Sequence, residues 1–94
     1  MPDQALHRLI EGNARFVADK SASDESTQRR IAVASTQAPF ATVLGCVDSR
    51  VSPELIFDQG LGDLFVIRPA RQVLDRAVLG SLEFGVVELQ IRLL

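Results

Sequence analysis

Two short apolar runs constrain this chain more than any other feature: Ala41-Thr-Val-Leu-Gly45 and Asp63-Leu-Phe-Val-Ile67, with a helix start between them. Each run has the length of a strand and is too short for a helix. Each is apolar almost throughout instead of alternating, the mark of a strand buried on both faces. Between them, Ser52-Pro53-Glu54 reads as a capping hydroxyl, a proline at the first helical position and an acid in the first turn, and Gly60 and Gly62 close the helix early. From Asp75 to Gln90 a longer helical pattern carries Val78, Leu79, Leu82, Val86 and Leu89 on one face, suited to covering a sheet. Ile91-Arg-Leu-Leu94 then reads as the first residues of a third strand. Strand, helix, strand, helix, strand at these lengths predicts an α/β fold, a parallel β-sheet with crossover helices, truncated in its third strand.

Ahead of the first run, Leu6, Leu9, Ile10, Asn13, Phe16 and Val17 recur at steps of three and four. They predict an amphipathic helix over about residues 4–18, with Asp3 as its N-cap. Its apolar stripe needs a partner surface, either the chain's own core or another subunit. Residues 19–27 are polar and serine-rich and read as a loop. A second short helix follows over about residues 28–37, ended by the Ala38-Pro39 step. There is no internal repeat and no linker, so residues 1–94 read as one domain. A chain of 94 residues buries only roughly 60–65% of its unfolded surface, which gives the first helix a reason to pack, through Leu9 and Phe16, on a second copy.

Composition excludes several classes. Hydrophobic residues at 47% and charged residues at 23% describe a soluble globular protein. A net charge of −2 offers no basic footprint for nucleic acid. No apolar run approaches the ~20 residues that span a bilayer. Asp3, His7 and Arg8 interrupt the first ten residues, which therefore do not form a secretory signal. The single cysteine, Cys46, has no internal disulfide partner and suits a reducing compartment, with the cytoplasm as the expected location.

Cys46-Val-Asp-Ser-Arg50 follows the first run directly, where open α/β sheets place their ligand sites. In a turn, a thiol, a carboxylate and a guanidinium at this spacing can converge. Two readings stand on the residues alone: a reactive or metal-binding cluster, or an inert cysteine beside an ion pair that braces the turn. Phosphatase chemistry of the Cys-x5-Arg kind is disfavoured, because three residues separate Cys46 from Arg50. Gly60-Leu-Gly62-Asp63 lacks the lysine, the third glycine and the following helix of a phosphate loop. His7, beside Arg8 on the polar side of the first helix, reads as a solvated side chain.

The context of the cysteine is more specific. Gly45-Cys-Val-Asp-Ser-Arg-Val51, followed by Pro53-Glu-Leu-Ile-Phe-Asp-Gln-Gly-Leu-Gly-Asp-Leu-Phe-Val-Ile-Arg68, resembles the β-carbonic anhydrase signature, Cys-Ser-Asp-Ser-Arg-Val with its following helix and strand. The resemblance begins at Leu9-Ile-Glu-Gly-Asn-Ala-Arg-Phe16, passes Gln37-Ala-Pro-Phe40 and reaches Val78-Leu-Gly-Ser-Leu-Glu-Phe84, so it covers nearly the whole chain. It implies that Cys46 is a Zn2+ ligand. Asp48 would be either a fourth ligand in a closed, inactive state or the partner of Arg50 in an open one. Gln37 would contact substrate and Phe65 would line the pocket. The reaction implied is reversible hydration of carbon dioxide to bicarbonate by zinc-bound hydroxide, in a homodimer or higher oligomer.

Two departures qualify it. The family completes its zinc site with a strand ending in Gly-His, two residues and a second Cys. Here Glu88-Leu-Gln-Ile-Arg-Leu-Leu94 aligns with the approach to that strand and neither ligand follows. Cys46 and Asp48 offer at most two ligands, too few for a tight site. After Arg68 the chain has Pro69-Ala-Arg71 where the family carries small residues, and Pro69 removes a backbone donor. The expectations are therefore an incomplete β-carbonic anhydrase, inactive as these 94 residues, or a non-catalytic family member acting as an interaction module, or a thiol protein using Cys46.

Overall fold

The two apolar runs lie side by side. In a computed structural model, which describes residues 2–23, 26–70 and 74–94, β1 (Ala41–Leu44) pairs in parallel with β2 (Leu64–Ile67), Ala41 opposite Leu64 and Leu44 opposite Ile67. The elements run α1 (Pro2–Val17), α2 (Thr27–Val33), β1, α3 (Pro53–Ile56), β2 and α4 (Arg76–Val87). This is the α/β arrangement expected, with α3 in the β1–β2 crossover.

Period-two alternation assigns the two faces of the sheet. Ala41, Val43, Leu64 and Val66 face one way and pack with Leu9 of α1, Phe57 after α3, Phe40 and Leu93. Thr42 and Phe65 face the other way, against α4: the Phe65 and Phe84 rings are 6.1 Å apart, and Gly85 leaves room for the edge of Phe65.

The stripe of α1 is divided. Ala5, Leu9 and Gly12 are buried against the chain's own core, whereas Leu6, Ile10, Phe16 and Val17 are exposed. Leu9 is thus a core residue and does not belong to a surface for a second subunit, which corrects the expectation that placed it there with Phe16. Asp3 lies inside the first turn and is not the N-cap.

Polar contacts tie α1 to the α3 turn. Asn13 Nδ2 donates to the Ile56 carbonyl at 3.0 Å, and Gln59 Nε2 donates to the Arg8 carbonyl at 3.2 Å. Asp58, in the left-handed region at φ 48°, has a fully buried carboxylate. It accepts from Arg15 at 2.5 Å and from the backbone N–H groups of Ala22 and Ser23.

Three other local expectations need correction. Ser52 stands at the N-cap of α3 but its hydroxyl does not cap the helix: it donates to Glu54 Oε2 at 3.1 Å instead. α2 ends at Val33, well before Gln37; it buries no residue, so no packing extends it. No strand forms over residues 91–94. Gln90 turns into the left-handed region at φ 55° and the Ile91 N–H bonds back to the Gly85 carbonyl, a six-residue closure that ends α4. Ile91 is buried and the Leu93 carbonyl accepts from the Thr42 N–H at 2.8 Å, so the segment lies along β1 through a single backbone bond, short of a ladder.

Candidate active site

The 46–51 loop leaves β1 at its carboxyl end. The Gly45 N–H still bonds the Ile67 carbonyl at 2.9 Å, so the loop departs from a fixed point. Asp48 then organises the turn. Its Oδ1 accepts the Arg50 backbone N–H at 2.9 Å, an Asx-type closure two residues on. The Arg50 guanidinium grips the same carboxylate with two bonds, Nε to Oδ1 at 3.0 Å and Nη2 to Oδ2 at 2.8 Å. The Asp48 N–H donates to Cys46 Sγ at 3.3 Å. Cys46 is exposed, and Cys46, Asp48 and Arg50 therefore form one compact cluster.

Arg50 holds the Asp48 carboxyl below the ordinary carboxylate range, first through its side chain and then through its backbone N–H; the nearby Arg68 cation acts in the same direction. The Arg50 guanidinium is pushed up in return by Asp48. Asp48 is thus an anion at neutral pH. Arg50 is 85% exposed, so this pair is screened by water and its value lies in shape more than in stability.

The composition of the pocket is mostly apolar. A cavity of about 310 Å³ is lined by Val43, Gly45, Cys46, Asp48, Val51 and Pro53, together with Ile56 and Phe57. Phe65 is not on this wall. It points to the opposite side of the sheet, against Phe84, because it stands one residue out of phase with Leu64 and Val66. Gln37 is exposed and precedes β1, at the other end of the strand from Cys46. A single chain therefore unites Cys46, Asp48 and Arg50 but brings neither Gln37 nor Phe65 to them.

Arg68 is a site residue that sequence reasoning passed over. Its Nε donates to the Cys46 carbonyl at 2.8 Å, and its Nη2 donates to the carbonyls of Val51, at 2.8 Å, and of Asp48. The signal was available: a cation immediately beyond the second of two parallel strands falls beside the loop that leaves the first. Pro69 is half-buried, and Arg71 lies outside the described residues.

A thiolate and a carboxylate are donors that zinc accepts. Here both Asp48 oxygens are already engaged by Arg50, and among the described residues no group of three or more His, Cys, Asp and Glu side chains is placed to hold a metal ion. His7 pairs with Glu11 at 2.7 Å on the outer side of α1. The residues present do not fit a complete zinc site.

Fold and loop together define an α/β protein with a Cys46–Asp48–Arg50 cluster at the carboxyl end of a parallel strand, and comparison with known proteins specifies it further. A family model described as carbonic anhydrase matches residues 41–94. The chain is 49% identical over 94 residues to carbonic anhydrase 2 of Mycobacterium tuberculosis, covering 99% of this chain and 45% of that protein. It is 48% identical to a carbonic anhydrase of Mycolicibacterium smegmatis, over 99% of this chain and 46% of that one. A solved Coccomyxa β-carbonic anhydrase in complex with acetazolamide superposes with a TM-score of 0.63 at 33% identity, over 89% of this chain and 38% of that chain. The chain belongs to the β-carbonic anhydrase family, and it spans about half the length of the relatives it matches.

Proposed function

We propose that this chain carries the cysteine–aspartate–arginine portion of a carbonic anhydrase site and that the 94 residues by themselves do not hydrate carbon dioxide. The observation that carries the reading is the state of the cluster: Cys46 is exposed and available, while Asp48 is closed into a bidentate pair with Arg50. That pair engages both carboxylate oxygens with one guanidinium. A productive zinc needs about three protein ligands and one open position, and Cys46 with Asp48 gives at most two.

Within the family's reaction, interconversion of carbon dioxide and bicarbonate with zinc as cofactor, Asp48 would orient a hydrogen-bonding proton and Arg50 would hold Asp48 in place. The substrate contacts implied for Gln37 and Phe65 would need surface beyond this chain's own pocket. The exposed apolar residues of α1, Ile10 and Phe16 among them, support a homodimer or larger assembly. The unpaired cysteine supports a reducing compartment, the cytoplasm. No helix among the described residues is long and apolar enough to cross a membrane.

The test is direct. Elemental analysis of the 94-residue protein should find well under one zinc per chain, and stopped-flow hydration should not exceed the buffer rate. Appending a segment with the family's strand, His and Cys should raise both. One zinc per unmodified chain, with hydration that Cys46→Ser abolishes, would overturn the reading.

A further inference from the structure

Arg68 is the first residue beyond β2, and the parallel register that sets Leu44 beside Ile67 sets Arg68 beside the 46–51 loop. Its three carbonyl partners belong to the first residue of that loop, Cys46, to a middle one, Asp48, and to the last, Val51. The loop's own backbone adds a Val51 N–H to Asp48 carbonyl bond at 3.2 Å. Its side chains are largely exposed, so little apolar packing fixes it. A segment with so little backbone-to-backbone bonding of its own samples several conformations unless something outside it selects the one in which its side-chain bonds close.

We propose that Arg68 is the positioning residue of this site: its guanidinium gathers the three loop carbonyls and so selects the loop conformation in which Arg50 closes on Asp48 beside the Cys46 thiol. Each carbonyl that is fixed removes freedom from the φ and ψ angles between it and the next. With all three held, the Asp48 N–H faces Cys46 Sγ and the Arg50 N–H faces Asp48 Oδ1. The planar fork of arginine suits this task, since donors on two different nitrogens reach carbonyls spread across a turn; a lysine ammonium concentrates its donors at one point. The proposal rests on the functional reading only in taking this loop as the site.

The experiment is amide–water exchange by NMR on the folded 94-residue chain, in wild type, Arg68→Met and Arg68→Lys. In Arg68→Met the Arg50 amide should exchange about tenfold faster, as expected for a lost charge-assisted hydrogen-bond brace. The Gly45 amide, bonded to Ile67 across the strands, should keep its wild-type rate. Arg68→Lys, which restores the charge without the fork, should leave most of the acceleration in place. An unchanged Arg50 rate in a folded Arg68→Met protein overturns the proposal. So does a common acceleration of the Arg50 and Gly45 amides, which marks a general structural role, and so does full recovery in Arg68→Lys. If Arg68→Met does not fold, Arg68→Lys is read by the same criterion, acceleration at Arg50 alone supporting the proposal and no acceleration overturning it. Zinc content and hydration rate do not enter the measurement, so failure of the carbonic anhydrase reading and failure of this proposal are separate results.

Discussion

A Cβ placed on Gly12 of α1 would lie 1.6 Å from the carbonyl oxygen of Phe57, so the helix and the α3 turn meet backbone to backbone. Because the obstacle is a main-chain oxygen, no rotamer change relieves it. Gly12→Ala should cost about 1–3 kcal/mol or more through overpacking, read from urea or thermal unfolding. Gly80, inside α4 with nothing within 4 Å of its would-be Cβ, gives the opposite expectation. There, alanine should stabilise by about 0.5–1 kcal/mol, because it only removes backbone freedom from the unfolded chain.

Asp58 makes stability depend on acid. The Arg15 side chain holds its carboxyl below the ordinary range, and the N–H groups of Ala22 and Ser23 act the same way. A depressed folded pKa contributes stability that is fully present above the unfolded value of about 3.9 and is lost as pH falls toward the folded value. The urea midpoint should therefore hold steady from neutral pH to about 5 and fall below about 4. Arg15→Met should lower the midpoint at neutral pH and flatten the acid limb. An acid limb as steep in Arg15→Met as in wild type would refute the assignment to this pair.

Cys46 should react in the native state. It is exposed, and among the described residues its Sγ makes a single, long hydrogen bond, from the Asp48 N–H at 3.3 Å. A thiol reagent should label one group per chain without denaturant. Cys46→Ser should change stability by less than about 0.5 kcal/mol, as for a surface position. Protection until the chain unfolds would mean that the loop is covered in solution.

Association should depend on the outer residues of α1. Phe16 is 44% exposed and Ile10 58%, apolar surface that a second copy can bury. Sedimentation equilibrium at micromolar concentration should give a dimer or larger. Ile10→Glu with Phe16→Glu should shift the distribution toward monomer, because a buried unpaired carboxylate is costly. A wild-type monomer with cooperative unfolding would defeat this expectation.

Much of this protein was determined by local sequence. The apolar runs at 41–45 and 63–67, with Pro53 and the glycines between them, are enough to specify parallel strands joined by a short crossover, since strand length and turn chemistry act over a few residues. The Asp48–Arg50 pair was equally legible, because an Asx turn closes within two residues. The tertiary structure alone decided which side each strand residue serves. Phe65 faces Phe84 and leaves the Cys46 pocket because strand phase is set by what packs on each face, and Leu9 enters the chain's own core for the same reason. It also decided where the 91–94 segment goes: the left-handed turn at Gln90 and one bond from Thr42 lay it along β1 without completing a strand. Arg68 is the strongest case. Its three carbonyl partners lie 17 to 22 residues away, and only the register of two parallel strands brings them within reach of one side chain.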